Sequence, residues 1–354
     1  MMKHGKMWGI IKNGGLFALI VIVTLRVFIF NGNFKNTYNV MSNVNLNYIF
    51  IAILVMGVVV LCEAINIKRS LKLFKENTTI LHCIQYSLVG IFFSSITPSA
   101  SGGQPMQLYF MHKKKINVSS GMLALLICLA SYQFVVVFLG CISIIFNWNF
   151  FNKLLGSFSL LFFVGMFLNT VLLGFIVLAI FSKKAIYSVV NFIVNIVKCF
   201  SEEKASSLKE KALVEIERYK ESAVYLKGQK KFIINTVLIT MIQIIALHSI
   251  PFWAYKSLGL SGATVYQFVL IQAALYITGA VLPLPGAVGI GEGGFLVFFK
   301  SFFPSHMTNS AMVISRGISF YLMVLISGIG IWILGLKKYE TKKKVLKGNV
   351  MYEE

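Results

Sequence analysis

The chain has 354 residues, of which 57% are hydrophobic and 13% are charged, and its mean hydropathy is +0.79. This composition excludes a soluble globular domain and predicts an all-α polytopic integral membrane protein. The net charge of +21 would suit a nucleic-acid partner. However, the basic residues fall in short loops between apolar runs and form no continuous face with interleaved aromatic residues, so nucleic-acid binding is not expected.

Apolar runs near the length of roughly 20 residues that a helix needs to cross the hydrocarbon core mark the membrane spans. We predict six full spans and two re-entrant hairpins, the hairpins lying where prolines and glycines interrupt an apolar run. The spans are 14–30, 49–67, 119–146, 155–181, 232–254 and 312–336, and the hairpins are 80–112 and 268–303. In a simpler alternative, residues 80–97 cross the membrane fully, and 268–282 and 290–303 are kinked spans.

Most of the 33 Lys and Arg residues fall on the same side of these spans as both chain termini. The positive-inside rule therefore predicts a multi-pass protein of the cell membrane with both termini in the cytoplasm. In this topology the first hairpin enters from the cytoplasm and the second from outside, so the two breaks approach each other near the midplane. This arrangement is typical of the inverted repeats of secondary transporters, although no residue-level repeat is visible.

The only long polar segment, residues 181–231, separates the two halves of the chain. Within it, apolar residues recur at spacings of three and four from Ala205 to Leu226, which predicts an amphipathic helix over 201–227. We expect this helix to lie along the cytoplasmic surface or to pack on the bundle. Residues 1–336 are thus predicted to form one transporter-like membrane domain, and 337–354 a basic cytoplasmic tail.

The two breaks carry the sequences TPSASGGQP at 97–105 and LPLPGAVGIGEGG at 282–294. Backbone that cannot be helical at membrane depth is tolerated only where it is buried in protein or lines a cavity, so both breaks predict a substrate site. The helices that leave them would aim unpaired N–H groups into this site, which suits a lipid phosphate. The candidate substrate-binding or gating residues are Pro98, Gly102, Gly103, Gln104, Pro105, Pro285, Gly286, Gly289, Gly291, Glu292 and Arg316.

All twelve acidic residues are Glu, and only Glu63 and Glu292 fall inside the predicted membrane segments. An ionised carboxylate there is costly unless it is paired or hydrated. Glu63 lies five residues before Lys68, which favours an interfacial ion pair. Glu292 lies at a hairpin tip, and its candidate partner is Arg316. Their pair is either structural or a gate or proton-coupling element.

Other polar residues are weaker candidates. Gln104 and Gln107 suit hydrogen bonds to a headgroup, whereas Gln133, Gln243 and Gln272 suit bridges between helices. His248 is expected to be a satisfied interior histidine. The five cysteines show no metal-ligand spacing, and the G-x-G-x-x-G match at 289–294 lacks the βαβ unit of a dinucleotide site, so no cofactor is predicted.

The first break, followed by Leu108-Tyr109, resembles one signature of the lysylphosphatidylglycerol synthase transmembrane family. The stretch 285–292, with Ser315-Arg316-Gly317 downstream, resembles the second. The family includes the N-terminal flippase module of the multiple peptide resistance factor. The resemblance covers about residues 10–336 and implies a lipid translocase for antimicrobial-peptide resistance, with Gln104, Glu292 and Arg316 as the matching polar positions.

Two other functions stay open. One is lysyl transfer from lysyl-tRNA to phosphatidylglycerol, alone or as the membrane subunit of a separate synthase. We expect residues 337–354 to be too few for the soluble synthase domain of the resistance factor, so enzymatic activity is not favoured. The other is solute transport. The expected partners are the bilayer and a phospholipid substrate such as lysylphosphatidylglycerol, with tRNA only if the transferase alternative holds, and with a homo-oligomer left open.

Overall fold

A computed structural model describes residues 39–146, 156–182, 202, 219, 223–282 and 284–333. All regular secondary structure in this part of the chain is helical. The predicted span 14–30, most of the predicted helix 201–227 and the tail 337–354 lie outside the described residues. In chain order the helices are α1 (Leu46–Leu73), α2 (Ile80–Ile96), α3 (Gly103–Lys113), α4 (Val118–Phe146), α5 (Ser159–Phe181), α6 (Lys230–His248), α7 (Ile250–Ser257), α8 (Val265–Gly279), α9 (Ile290–Phe298) and α10 (Thr308–Arg316).

Five helical segments are long and apolar enough to cross a membrane, namely α1, α4, α5, α6 with α7, and α10 with its continuation to residue 333. They confirm the predicted spans from 49–67 onward. Two local features were not predicted. A turn at Ser249 separates α6 from α7, because Pro251 has no N–H to continue the helical ladder. A π-helical segment, Gly317–Leu322, interrupts the last span.

The two predicted hairpins are pairs of short helices that double back on each other. Helix α2 has 17 residues and α8 has 15, so they measure about 25 and 22 Å at 1.5 Å per residue, which is less than a full crossing. A Cβ added at Gly90 of α2 would overlap Gln107 of α3, and one added at Gly294 of α9 would overlap Leu275 of α8. These contacts favour the hairpins over the alternative of full or kinked spans.

The hairpins enter the bundle from opposite ends. At one end Arg69 of α1 lies over the Phe232 ring of α6, with 5.7 Å between Cζ and the ring centroid, and Glu76, just before α2, accepts a hydrogen bond from Asn117 after α3. At the other end the N–H of Asn45 donates to the Ser257 carbonyl over 2.8 Å. The opposed entry predicted from the charge distribution is therefore present in the structure.

The two hairpin tips contact each other in the middle of the bundle. A single turn of 3₁₀-helix forms each tip, Pro98–Ala100 in the first and Pro285–Ala287 in the second, and the two turns are in contact. An added Cβ at Gly286 would lie 3.0 Å from the carbonyl oxygen of Ser95, at the end of α2. The two breaks in the sequence thus form one central structural feature.

The apolar residues divide between a core and an outer surface. The largest buried cluster surrounds Phe268 and joins α4, α5, α8 and α9. Large apolar side chains on α5 remain exposed, and Leu160, Phe167 and Phe175 are 65–72% exposed. Because a continuous apolar surface of this kind is unfavourable in water, it is the expected contact with the hydrocarbon of a bilayer.

Three residues on the apolar face of the predicted amphipathic helix lie in the described part of the chain. Tyr219, Ala223 and Leu226 are buried in a cluster with residues of α4 and α5, and the Tyr219 hydroxyl donates to the Ala179 carbonyl over 3.0 Å. All three belong to the predicted apolar face. Here that face packs on the bundle, one of the two placements expected from the sequence.

Candidate functional site: a central cavity between the hairpin tips

The geometry of the first tip follows from a Thr-Pro pair. Pro98 pushes Thr97 out of the helical region, and Thr97 is extended (φ −114°, ψ 146°), which ends α2. The Thr97 hydroxyl then donates to the Phe93 carbonyl over 2.6 Å and accepts the Gly102 N–H over 2.9 Å. One side chain therefore satisfies a carbonyl at the end of α2 and an N–H before α3.

The second tip uses glycines and a carboxylate. Gly286 and Gly289 have positive φ values of 58° and 86°, a conformation that other residues adopt only with strain. Glu292 lies in the first turn of α9, and its Oε2 accepts the Gly289 N–H over 2.6 Å, which is the one of the two capping-box hydrogen bonds that does not need a side chain at the N-cap. A negative side chain is favoured at this end of the helix. Glu292 therefore has a local structural role in addition to any contact with substrate.

Glu292 also forms the predicted ion pair with Arg316. Arg316 Nε donates to Glu292 Oε1 over 3.0 Å, and Arg316 Nη2 donates to the Gly286 carbonyl over 3.2 Å. The guanidinium thus links α10 to both the tip and the first turn of α9. Arg316 does not extend into solvent, because its side chain is only 17% exposed and is paired with Glu292.

The π-helical segment completes the surroundings of this pair. The Tyr321 hydroxyl donates to Glu292 Oε1 over 2.8 Å, and Arg316 Cζ lies 4.6 Å from the centroid of the Phe320 ring, within range of a cation–π interaction. Glu292 is 3% exposed and accepts hydrogen bonds on both oxygens. Its charge is therefore compensated entirely within the protein, and it does not line the central cavity.

A cavity of about 740 Å³ lies between the two tips and the surrounding spans. Its wall combines leucines and other apolar residues with polar side chains from helices that are far apart in the sequence. Among the described residues, Glu63 is the only acidic group in the wall and Arg316 the only Arg or Lys. The polar lining residues are Glu63, Asn66, Ser94, Ser99, Ser101, Gln104, Gln107, Tyr132, Gln133, Asn169, Thr240, Gln243, His248, Gln272, Tyr276, Ser315, Arg316 and Ser319.

The structure brings only some of the predicted site residues to this cavity. Gln104, Gly286, Gly291 and Arg316 line it. The others shape the tips behind it: an added Cβ at Gly103 would overlap Ser94, and the Gly102 N–H is bound by Thr97. The predicted residues outside the lining are Pro98, Gly102, Gly103, Pro105, Gly289 and Glu292, and the Pro285 side chain lies outside the described part of the structure.

Glu63 differs from its expected role. It forms no ion pair with Lys68, and its Oε1 accepts a hydrogen bond from Gln107 Nε2 over 2.9 Å. Asn66, on the same face of α1, donates through Nδ2 to Thr240 Oγ1 over 3.0 Å and to the Thr236 carbonyl. Within the described part of the chain, the buried Asn66 Oδ1 has no hydrogen-bond partner. The spacing of Glu63 and Lys68 along one helix suggested the ion pair. That spacing carries no information about the neighbouring hairpin, whose Gln107 is the actual partner.

His248 also differs from expectation. It is 2% exposed and lines the cavity, yet neither ring nitrogen has a hydrogen-bond partner among the described residues. It is therefore not a satisfied interior histidine. Gln133 does bridge helices as predicted, because its Nε2 donates to Asn169 Oδ1 on α5, whereas Gln243 and Gln272 line the cavity.

Two residues of the site were not among the candidates from the sequence: Asn66, which lines the cavity, and Tyr321, which donates a hydrogen bond to Glu292. Asn66 follows Glu63 by three residues, and that helical spacing places both on one face, a signal that would have found it. Tyr321 follows Arg316 by five residues, which in a regular α-helix would turn it about 140° away. Only the π-helical segment brings it to the same side, so no standard helical spacing would have predicted the contact.

These observations define a class: a helical membrane protein whose spans enclose a polar cavity where two opposed hairpin tips meet. The chain belongs to the family of the lysylphosphatidylglycerol synthase TM region, whose family model matches residues 15–327. A UPF0104 membrane protein of Pyrococcus horikoshii is 25% identical over 329 residues, covering 89% of this chain and 95% of that protein. A UPF0104 membrane protein of Archaeoglobus fulgidus is 21% identical over 321 residues, with the same coverage.

Proposed function

We propose that this protein is a flippase that moves a phospholipid or a related anionic amphiphile between the leaflets of the cell membrane, with the headgroup passing through the central cavity. The observation that carries the proposal is the position of Arg316. It is the one Arg or Lys that lines the cavity within the described chain, and it is held there by Glu292 and the Gly286 carbonyl.

Arg316 retains capacity for a ligand. Its Nε and Nη2 are used by the protein, while Nη1 has no hydrogen-bond partner among the described residues. A guanidinium is always charged and donates in a fixed geometry that matches phosphate oxygens. Gly291, in the first turn of α9, lines the same wall, where the positive end of the helix dipole also favours an anion. A phosphate headgroup therefore fits this side of the cavity.

The rest of the wall suits an amphiphile. Leu168 and Leu172 of α5 and Leu282 and Leu284 of the second tip line the cavity and are each 45–47% exposed. A polar cavity with a partly exposed apolar side allows a headgroup to be bound while acyl chains remain in contact with hydrocarbon. The volume of about 740 Å³ lies within the range of roughly 300–1,000 Å³ of ligand pockets.

The test is leaflet exchange in liposomes that contain the purified protein. Labelled phosphatidylglycerol, its lysyl ester and a polyprenyl-phosphate lipid are compared at equal pH on both sides. We expect exchange of at least one lipid above the rate of protein-free vesicles. Failure of all three to exchange would contradict the proposal and favour a solute transporter or a subunit of a lysyltransferase.

Charge variants then test the site. Arg316→Gln alone leaves Glu292 buried without a counter-charge, and its loss of exchange could reflect misfolding. The double variant Arg316→Gln with Glu292→Gln removes both charges and lets the two amides hydrogen-bond. We expect this variant to fold but to exchange lipid at a much lower rate, whereas Arg316→Lys retains part of the activity because it keeps the positive charge. If the folded double variant exchanges lipid at the wild-type rate, Arg316 is excluded as a ligand of the headgroup.

A further inference from the structure

The two glutamates of the predicted membrane segments lie in environments of opposite character. Glu292 is fully compensated by Arg316, Tyr321 and the Gly289 N–H. Glu63 has one hydrogen bond, from the neutral amide of Gln107, and no ion pair among the described residues. Glu63 also lines the cavity, and Glu292 does not. Only Glu63 is thus in a position to respond to what occupies the cavity.

We propose that Glu63 takes up a proton when an anionic headgroup occupies the cavity, so that the protein moves the lipid anion and one proton together. This rests on the proposed flippase function. Arg316 and Glu292 together contribute no net charge, so an ionised Glu63 leaves the site with one negative charge. A lipid phosphate would add a second negative charge in a medium of low dielectric constant, where like charges favour protonation.

The neighbouring groups agree with this assignment. Asn66 Oδ1, three residues along the same face, is a buried acceptor with no partner among the described residues, and its orientation is fixed because Nδ2 is engaged by Thr240 and Thr236. It can accept from a protonated Glu63 directly or through water in the cavity, and an ionised Glu63 offers it no donor. An ionised Glu63 therefore adds a second acceptor to the face of α1 that carries Asn66 Oδ1, whereas a protonated Glu63 supplies a donor.

No other acidic group in the described lining competes for this role. The remaining titratable or charged residues that face the cavity are Cys128 and Tyr132 of α4, His248 of α6, Tyr276 of α8 and Arg316. Helices α2, α3 and α7 also pack near α1, but the residues that they contribute to the lining are not titratable. His248 has no hydrogen-bonding partner among the described residues, so no carboxylate or carbonyl there favours its protonated form. Glu63 is thus the one carboxylate in the described lining whose protonation removes a negative charge from the cavity.

The proton balance is simple. The Glu63 carboxylate binds one proton from the aqueous compartment to which the cavity is open, and it becomes the neutral acid as the lipid anion enters. When the cavity opens to the other compartment, the proton and the lipid leave together, and the carboxylate is restored. The transported pair carries no net charge, so the membrane potential does not drive it and a pH gradient does.

The first experiment measures the steady-state leaflet distribution of labelled phosphatidylglycerol in proteoliposomes under a gradient of one pH unit, with the membrane potential clamped at zero. One proton per lipid anion predicts up to about tenfold enrichment in the leaflet that faces the alkaline compartment, the ratio equivalent to one pH unit. Protein-free vesicles correct for spontaneous movement of the lipid.

Two variants make the result specific. Glu63→Gln keeps an acceptor for Gln107 but binds no proton. At steady state its vesicles should therefore hold nearly equal amounts of labelled lipid in the two leaflets, whatever the exchange rate. Glu76→Gln is the matched control, because Glu76 lies just beyond the same helix, outside the cavity lining, and bonds Asn117. It should retain the enrichment. If vesicles with the wild-type protein exchange lipid but hold equal amounts of it in both leaflets, the proton coupling is overturned and the flippase function is left intact.

A second readout does not depend on exchange. Infrared difference spectroscopy of the purified protein detects the carbonyl stretch of a protonated carboxylic acid when an ether-linked phosphatidylglycerol, which has no ester carbonyl of its own, is added at constant pH. We expect this band in the wild type and in Glu76→Gln and its loss in Glu63→Gln. A band that persists in folded Glu63→Gln, or no band in the wild type, would overturn the proposal even if no lipid exchanged.

Discussion

At the scale of single residues, the two membrane glutamates have different surroundings because of their neighbours. Glu292 combines a helix cap with an ion pair, and both of its oxygens are engaged. Glu63 faces the cavity with a single amide partner. The sequence indicated that Glu292 was the carboxylate to explain and that Arg316 was its partner. It could not indicate that Glu63 is more exposed to the cavity, because that depends on the packing of α3 against α1.

Glu292 is expected to contribute strongly to stability. Glu292→Gln leaves the Arg316 guanidinium largely buried without a counter-charge, which should lower the free energy of unfolding by about 3 kcal/mol. Tyr321→Phe removes only one hydrogen bond to the same carboxylate and should cost about 1 kcal/mol. Thermal unfolding in detergent measures both. Equal losses for the two variants would show that the ion pair does not stabilise the second tip.

Gly291 is expected to be intolerant of a side chain because Arg316 lies against it. A Cβ at Gly291 would lie 2.8 Å from Arg316 Cζ, whereas one at Gly293 on the same helix would meet nothing within 4 Å. Gly293→Ala should therefore raise stability by up to about 1 kcal/mol through helix propensity. Gly291→Ala should lower stability by about 1–3 kcal/mol and slow lipid exchange.

Stability and exchange assays on the two alanine variants give a direct comparison. The two changes add the same atoms two residues apart in α9, and the three atoms nearest to the added Cβ at Gly291 all belong to Arg316, so a difference between the variants reports that contact. If Gly291→Ala matches Gly293→Ala in both assays, the guanidinium can move without loss, and its observed position is not required.

At the scale of secondary-structure elements, the sequence predicted most of the architecture and missed its irregularities. The spans and hairpins followed from run length and from Pro and Gly positions, and α1 was predicted as 49–67 but extends over Leu46–Leu73. Its ends were underestimated because polar residues continue the helix beyond the apolar run. The π-helical segment was not predictable, since Gly317–Leu322 has no composition that distinguishes it from an α-helix.

The first tip offers an element-scale test. Thr97→Val has nearly the same shape but removes the hydrogen bonds to the Phe93 carbonyl and from the Gly102 N–H. Stability should fall by about 2 kcal/mol, and exchange should slow, because the tip no longer has a fixed position beside Gln104. Thr97→Ser keeps the hydroxyl and should resemble the wild type in both measurements. A normal exchange rate for Thr97→Val would mean that the tip need not be rigid.

At the scale of the whole molecule, the two ends of the bundle differ both in which hairpin enters there and in the number of basic residues. The described basic residues concentrate at the end of the bundle that holds the C-terminus of α1, the loop after α3 and the start of α6, while Lys256 and Lys300 lie toward the other end. The positive-inside rule then predicts that the first end faces the cytoplasm. The first hairpin would enter from that side.

Cysteine labelling in intact cells tests this orientation. In a cysteine-free background, Ser261→Cys in the loop before α8 should react with a membrane-impermeant maleimide added outside. Lys114→Cys after α3 should react only once the membrane is permeabilised. Both native residues are exposed, so a difference in labelling reports the side of the membrane. The reverse pattern would place the first hairpin on the outer side and invert the predicted topology.

The central claim is that a phospholipid headgroup occupies the cavity between the tips. The most direct measurement is photo-crosslinking of phosphatidylglycerol that carries a photoreactive headgroup, with adducts mapped by mass spectrometry. The account predicts adducts on lining residues beside both tips, such as Gln104 and Gly291, and near Ser315 of α10. These adducts should be lost in the double variant that combines Arg316→Gln with Glu292→Gln. Adducts confined to the outer surface of α5, around Phe167 and Phe175, would contradict it.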